Sequence, residues 1–302
     1  MSVMTPKIAI ISPGNMGSGV GKFLVEGGFE VIAPLNDRSD FTRFRAEKIG
    51  INNAGSIEKA VEDAEIILSI LDPGKAVEVA KSAASAIQRL GYSKIYADCN
   101  ATSPSTAIKI SEIIEAAGGI FVDVGIIGGT PTKKDNFPTF FSSGPQASVL
   151  DLLDGHGVRV KNLGSEVGQG SAIKICNGAW NKGAFALYTA VMLAAEKYGF
   201  TRVLRERLPN SQAGTVEKID AALNRLPSLS GRYIGEMEQV SETYVGIGIP
   251  AGFHEGAAEI FRMLNTTSLG TERRETIDPD RDPLEVLAKL IEEIDFQEKN
   301  KQ

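Results

Sequence analysis

The sequence predicts an α/β fold in two parts: an N-terminal domain on a mostly parallel, doubly wound sheet, then an all-α C-terminal domain. Three observations predict it. Short apolar runs alternate with helical stretches through the first half of the chain, the pattern of βαβ units. A glycine turn follows the first apolar run and opens a helix. Beyond Gly164 only helical patterns remain. The domains are therefore read as residues 1–164 and 165–302, and 302 residues suffice for two compact domains.

The strand candidates are residues 8–11, 30–33, 66–71, 94–97, 120–124 and 158–160. Between them lie helical stretches such as 75–89 and 105–117, and the pairs Gly27-Gly28 and Gly118-Gly119 sit where helices should end. Residues 170–198 read as one long helix, apolar nearly all round. Such a helix needs cover on every side, so it is expected to join the domains and to pack against a partner subunit. Further helices are expected at 214–225, 232–245, 252–264 and 283–294. The charged, proline-broken TERRETIDPDRD at 271–282 reads as an exposed loop.

The glycine turn is Ser12-Pro13-Gly14-Asn15-Met16-Gly17. It stands where a Rossmann fold carries G-x-G-x-x-G. The second glycine of that motif lets backbone approach a pyrophosphate, and the third lets helix and strand pack closely. Gly14 and Gly17 occupy those places, while Ser12 replaces the first glycine. The helix N-terminus adds free N–H groups and a positive dipole end. After the second strand comes Asn36-Asp37-Arg38-Ser39, with Arg43 a turn further on. An acid here suits the ribose hydroxyl of NAD, and arginine suits the 2′-phosphate of NADP. The expectation is NADP, with NAD possible, held by Pro13, Gly14, Asn15, Met16, Gly17, Asn36, Arg38, Ser39 and Arg43, with Leu71 and Asp72 after a later strand.

Composition excludes several classes. The charge is −6 with no long basic stretch, so no nucleic-acid partner is expected. The apolar stretch 183–195 is too short to span a bilayer, and MSVMTPK carries no secretory hydrophobic region. Cys99 and Cys176 lack metal or redox spacing; both are expected buried, in a cytoplasmic protein. No metal site is expected, since neither clustered histidines nor H-E-x-x-H occurs.

Four ordered segments carry a resemblance: IAIISPGNMG, DCNATSP at 98–104, DVGIIGGTP at 123–131 and GQGSAIKICNG at 168–178. Together they resemble the β-hydroxyacid dehydrogenase family, which includes 6-phosphogluconate and 3-hydroxyisobutyrate dehydrogenases. KICNGAWNKG and GFHEGAAEIF look closer to a divergent branch with a phosphogluconate dehydrogenase-like C-terminal domain. The resemblance implies a homodimer, a substrate contact at Asn100, a substrate loop at Gly128 and Gly129, and a catalytic lysine at Lys174. Three departures stand out. Ile127 replaces the loop serine that binds a carboxylate, Gly125 replaces the loop proline, and Gly178 replaces the catalytic asparagine. Asn177 and Asn181, three and seven residues after Lys174, face nearly its way and are candidates to stand in.

Taking a hydride from an alcohol carbon requires a base for the hydroxyl proton, and the reverse reduction an acid. A lysine serves both if burial lowers its pKa. Lys182 lies further along the same helical face, either binding a substrate anion or capping the polar side. His254, at a helix start, is either structural or a substrate contact; Trp180 is expected in the core and His156 in an exposed turn. The function expected is hydride transfer between NADP(H) and a small hydroxy acid or its carbonyl equivalent. Ile127 raises ketone or imine reduction as the alternative. The rival of another class is a non-catalytic dinucleotide-binding sensor or scaffold.

Overall fold

A computed structural model describes residues 5–133, 136–273, 277–278 and 280–299. Its contacts divide the chain into two units, Met1–Ile175 and Cys176–Gln302.

The first unit is an eight-stranded sheet. Its strands are β1 (Ile8–Ile10), β2 (Val31–Ala33), β3 (Asn52–Asn53), β4 (Ile66–Ser69), β5 (Ile95–Asp98), β6 (Ile120–Ile127), β7 (Thr139–Ser143) and β8 (Arg159–Asn162). The order is β3-β2-β1-β4-β5-β6-β7-β8. Every pairing is parallel except β6 with β7. The helices are α1 (Asn15–Glu26), α2 (Asp40–Lys48), α3 (Ile57–Asp63), α4 (Ala76–Leu90) and α5 (Pro104–Ala116). The chain thus forms the doubly wound, mostly parallel sheet that the alternation predicts. Central strands of such a sheet are covered on both faces. Accordingly Ile8 and Ile10 join one apolar cluster with Leu24, Leu68 and Val124, while Ala9 and Ile11 join another with Ile67, Tyr96 and Phe121.

Two strands escape the sequence pattern. β3 is two exposed asparagines, and β7 reads TFFSS without strict alternation. Pairing with β7 carries β6 to Ile127, beyond the expected end at Val124.

The second unit is helical. α6 (Gln169–Lys197) begins in the first unit and continues through the second, followed by α7 (Thr201–Ser211), α8 (Thr215–Gly246), α9 (Gly252–Asn265) and α10 (Pro283–Lys299). α7 has no counterpart in the sequence reading. The helices expected at 214–225 and 232–245 are one helix that runs through Pro227. Proline removes one backbone donor and clashes with the preceding turn. Here Pro227 is itself buried in the apolar stripe of Leu223, Leu226, Tyr233, Met237 and Val240, and that burial outweighs the local cost.

Three further expectations are corrected. Trp180 is 79% exposed, and Tyr198 equally so; with Leu187 and Val191 they leave one side of α6 uncovered within this chain. Cys176 is exposed, while Cys99 is buried. His156 is half-buried, its ring edge-on to Phe29 at 5.3 Å. In the expected loop, residues 274–276 and 279 lie outside the described residues. Arg281 there is anchored, with Nη1 donating to both Glu272 oxygens and Nη2 to the Asn224 carbonyl at 2.7 Å.

Candidate functional site

The turn after β1 has the shape that its glycines require. A Cβ built on Gly17 would overlap the Ser12 carbonyl oxygen and sit 3.0 Å from Ile10 Cγ2. Only glycine lets α1 approach β1 this closely. Nothing stands within 4 Å of the same position on Gly14, so the backbone there is open to a ligand. Ser12 turns the chain without a left-handed backbone, since no described residue other than glycine has positive φ; the Gly14 N–H donates to the Ser12 carbonyl at 2.8 Å. Ser18 Oγ donates to the Gly14 carbonyl at 2.6 Å and braces the first turn. Pro13 is buried, Asn15 exposed, and Met16 packs half-buried on the core.

Two arginines reach this turn. Arg38 Nη2 donates to the Ile11 carbonyl at 3.3 Å. Arg45, which the sequence reading missed, donates to the Pro13 carbonyl at 2.7 Å and to Asn15 Oδ1 at 3.0 Å. Its Nε is buried without a hydrogen-bond partner. A signal existed in the i+2 pair of arginines in DFTRFRAEK. Arg43 is exposed and bound to Asp40 at 2.5 Å and to the Asn36 carbonyl at 3.1 Å. Ser39 caps α2, accepting from the Thr42 N–H, and Asn36 Oδ1 accepts from Asn53. An orphaned guanidinium nitrogen, an open glycine and a free helix start together fit the phosphates of a dinucleotide.

A second group lies at the carboxyl ends of β4 and β5 and the middle of β6. Ser69, Asp98, Asp123 and Ser143 are register partners across β4, β5, β6 and β7, and all four are buried. Asn100 is buried with them. Its amide nitrogen donates to Asp98 Oδ1 and to Ser69 Oγ; its oxygen accepts from the Leu71 N–H at 2.7 Å. Both ends of this amide are thus engaged inside the protein, and they fix the turn holding Leu71 and the exposed Asp72. Asp123 accepts from Ser171 Oγ at 2.6 Å, the Ser171 N–H at 2.9 Å and Ser143 Oγ at 3.2 Å.

This acid therefore clamps the first turn of α6, which carries Lys174. A Cβ on Gly125 would overlap the Gly170 carbonyl and lie 3.3 Å from Lys174 Cβ. The glycine in place of the family proline lets α6 rest directly on β6. Burial raises the Asp98 carboxyl to about 7, against hydrogen bonds from Asn100 and Thr102, and with the Asp123 charge adding and Lys174 opposing. Burial raises Asp123 too, opposed first by its bonds to Ser171. Ile127 ends β6 half-buried, and Gly128 and Gly129 follow exposed. Their loop rests on α1, where a Cβ on Gly19 would come 2.5 Å from Thr130 Cγ2.

The remaining expected residues belong to the second unit. Asn181 donates to the Asn177 carbonyl and side chain, both residues being exposed. Lys182 is bound to Glu236 at 2.6 Å. His254 is buried between Tyr244 and Phe253, with Nδ1 unpartnered. Burial lowers its pKa, against a hydrogen bond to the Ala179 carbonyl. It lines a cavity of about 430 Å3 with Cys176, Trp180, Tyr188 and Gln212.

Residues 7–154 match the NAD binding domain of 6-phosphogluconate dehydrogenase, and residues 195–264 a domain of unknown function (DUF1932). Over 206 residues the chain is 29% identical to an uncharacterised 28.5 kDa protein of Methanothermus fervidus, covering 68% of this chain and 77% of that one. Over 181 residues it is 28% identical to mitochondrial 3-hydroxyisobutyrate dehydrogenase of Mus musculus, covering 59% of this chain. The match spans about half, 53%, of the mouse protein's length. The structure of Mycobacterium tuberculosis 3-hydroxyisobutyrate dehydrogenase with L-serine has a TM-score of 0.70 at 18% identity, covering 95% of this chain and 99% of that one, a likeness of fold. These matches give the chain an NAD binding domain of the 6-phosphogluconate dehydrogenase kind followed by a DUF1932 domain, the arrangement found in 3-hydroxyisobutyrate dehydrogenase-like proteins.

Proposed function

We propose that this protein is an NADP(H)-dependent oxidoreductase of a small hydroxy acid or its carbonyl equivalent, with Lys174 as general acid/base. The observation that carries the reading is the seating of Lys174. It stands in the first turns of α6, held on β6 by the Gly125–Gly170 approach and by the Asp123 clamp on Ser171. Such a seat fixes an amine where a hydroxyl proton could be taken or returned. The cofactor, when bound, accepts or supplies the hydride. Gly14, Asn15 and Gly17 would hold its pyrophosphate, and Arg38, Arg43 and Arg45 its 2′-phosphate, with Ser39 and Asn36 beside them. Gly128 and Gly129 offer backbone donors to a substrate anion. Asn177 or Asn181 is proposed for the role of the family asparagine, and Lys182 and His254 for contacts to the rest of the substrate.

Ile127 favours a second reading of the substrate. An apolar side chain replaces a carboxylate-binding serine, so a ketone or imine lacking the acid group would suit the pocket. The uncovered side of α6, with Trp180, Leu187, Val191 and Tyr198, supports a homodimer in which a second copy covers it. The described residues include no helix long and apolar enough to cross a membrane. Two free cysteines suit a reducing compartment, and we place the protein in the cytoplasm.

The test is a screen of hydroxy acids, ketones and imines by reduced-nicotinamide absorbance, with NAD(H) and NADP(H). Lys174→Ala should leave NADP(H) affinity intact and lower turnover about 100-fold or more. Unchanged turnover would sink the lysine's role, and no turnover with any substrate would favour a sensor. Arg38→Ala should cut kcat/KM for NADP about tenfold and spare NAD; equal loss with both would remove the phosphate assignment.

A further inference from the structure

The row Ser69–Asp98–Asp123–Ser143 has a use beyond cross-strand packing. Two carboxyl groups stand side by side in register on neighbouring strands, 1% and 0% exposed. Buried acids in such a pair cannot both ionise cheaply, so one holds a proton. Their partners differ. Asp123 accepts two hydrogen bonds from Ser171 and one from Ser143, a donor set that suits a carboxylate. Among the described residues Asp98 accepts from Asn100 and, at 3.3 Å, from Thr102. This difference in donors favours Asp98 as the holder of the proton. The groups around Asp98 are Tyr96 and Cys99 of its own strand segment, Ser69 from β4, Asp123 from β6, Asn100 and Thr102 from the following turn, and Lys174 from α6, whose Cβ is seated 3.3 Å from the Cβ position of Gly125, two residues along β6 from Asp123. Lys174 is the cation among them.

We propose that Asp98 and Asp123 form a one-proton carboxyl pair that sets the charge on Lys174. Asp123 fixes the helix turn just before the lysine. Asp98 takes its proton from water, or releases it to water, and thereby removes or adds one negative charge near the amine. Asp98 is thus a positioning residue, acting through Lys174. The assignment of Lys174 as acid/base rests on the proposed function; the electrostatic coupling does not.

The coupling is read directly by NMR on the intact protein with 13C-methylated lysines, Lys174→Arg assigning the resonance. In Asp98→Asn the Lys174 signal should titrate about one unit lower than in the wild type. The pH midpoint of kcat/KM should move by the same amount, whereas a merely structural role would lower the rate without moving the midpoint. If Asp98→Asn does not fold, carboxyl 13C shifts of the wild type decide. Asp98 should titrate near neutral pH, and the Lys174 signal should show an inflection at the same pH. Identical Lys174 titrations in both proteins, or an Asp98 carboxyl that titrates like an exposed one, would overturn the proposal. Persistent coupling with full turnover in Lys174→Ala would instead leave the pair standing and remove the lysine's catalytic role.

Discussion

The two units differ in degree: both bury polar side chains and both expose large apolar ones, the second more of the latter. The first buries acids, hydroxyls and an amide inside its sheet and gives the buried Asp98 and Asp123 hydrogen-bond partners. The second leaves large apolar side chains on its surface, among them Trp180, Tyr198, Val203, Val245 and Phe253. Buried polar groups cost stability unless fully bonded, and they hold one arrangement when they are. Exposed apolar side chains mark a surface to be covered when they form one contiguous patch. The first unit thus holds an internal polar cluster, and the exposed apolar side chains of the second are what the proposed dimer would cover.

The largest test of this contrast is Gly125→Ala. The new methyl would meet the Gly170 carbonyl, backbone against backbone, with no flexible side chain to yield. Lifting α6 off β6 should destabilise the first unit by about 3 kcal/mol and loosen the seat of Lys174. Hydrogen exchange of the β6 and β7 amides measures it, and protection equal to wild type would show that the strand can shift to admit the methyl.

A second test uses pH. Asp98 keeps its proton in the folded chain up to about 7, against a usual value of 3.8. Between those values the folded state holds a proton that the unfolded state has lost, so its contribution to stability falls as pH rises through that window. His254 leans the other way. Its pKa is lowered from 6.5 by burial, so the second unit loses stability as pH falls below that value. Asp98→Asn should remove the first slope, raising stability at pH 8 relative to pH 5 by about 2 kcal/mol compared with wild type. Parallel melting curves at both pH values would deny the buried proton.

How far the sequence revealed all this differs by unit as well. The doubly wound sheet was legible because short apolar runs, helical stretches and Gly14–Gly17 all point the same way. The family segments marked Lys174 and Asn100, yet the reading passed over Asp98 and Asp123 inside those same segments. An acid at a strand end reads as a solvated charge until pairing sets it beside another acid. Arg45 was hidden for a related reason, since its partner carbonyl at Pro13 lies 32 residues away. In the second unit Pro227 misled, because local propensity favours a break where burial sustains one helix. Trp180 misled in the same way, since hydrophobicity alone does not say whether the cover is this chain or another.

Trp180→Ser addresses that question with a smaller effect. In an isolated chain the exposed ring contributes little, and stability should change by less than about 0.5 kcal/mol. In a dimer that covers it, an aromatic anchor of this kind is worth about 2 kcal/mol. Sedimentation should then show the dimer dissociating at roughly thirtyfold higher protein concentration. A monomeric wild type would leave the apolar side of α6 to a different partner.

The smallest effect expected is that of Gly235→Ala, the counterpart of the change at Gly125. Gly235 lies inside α8, exposed, with nothing within 4 Å of an added Cβ. Alanine there restricts the unfolded chain and adds no clash, so it should stabilise the second unit by about 0.5–1 kcal/mol. Hydrogen exchange of the α8 amides reads the gain. One and the same substitution thus destabilises where the backbone of one element rests on another and stabilises where a helix faces open space. A loss of stability at Gly235 that grows with protein concentration would mean that the space is filled in solution. The apolar cover argued from Trp180 would then extend along α8 as well.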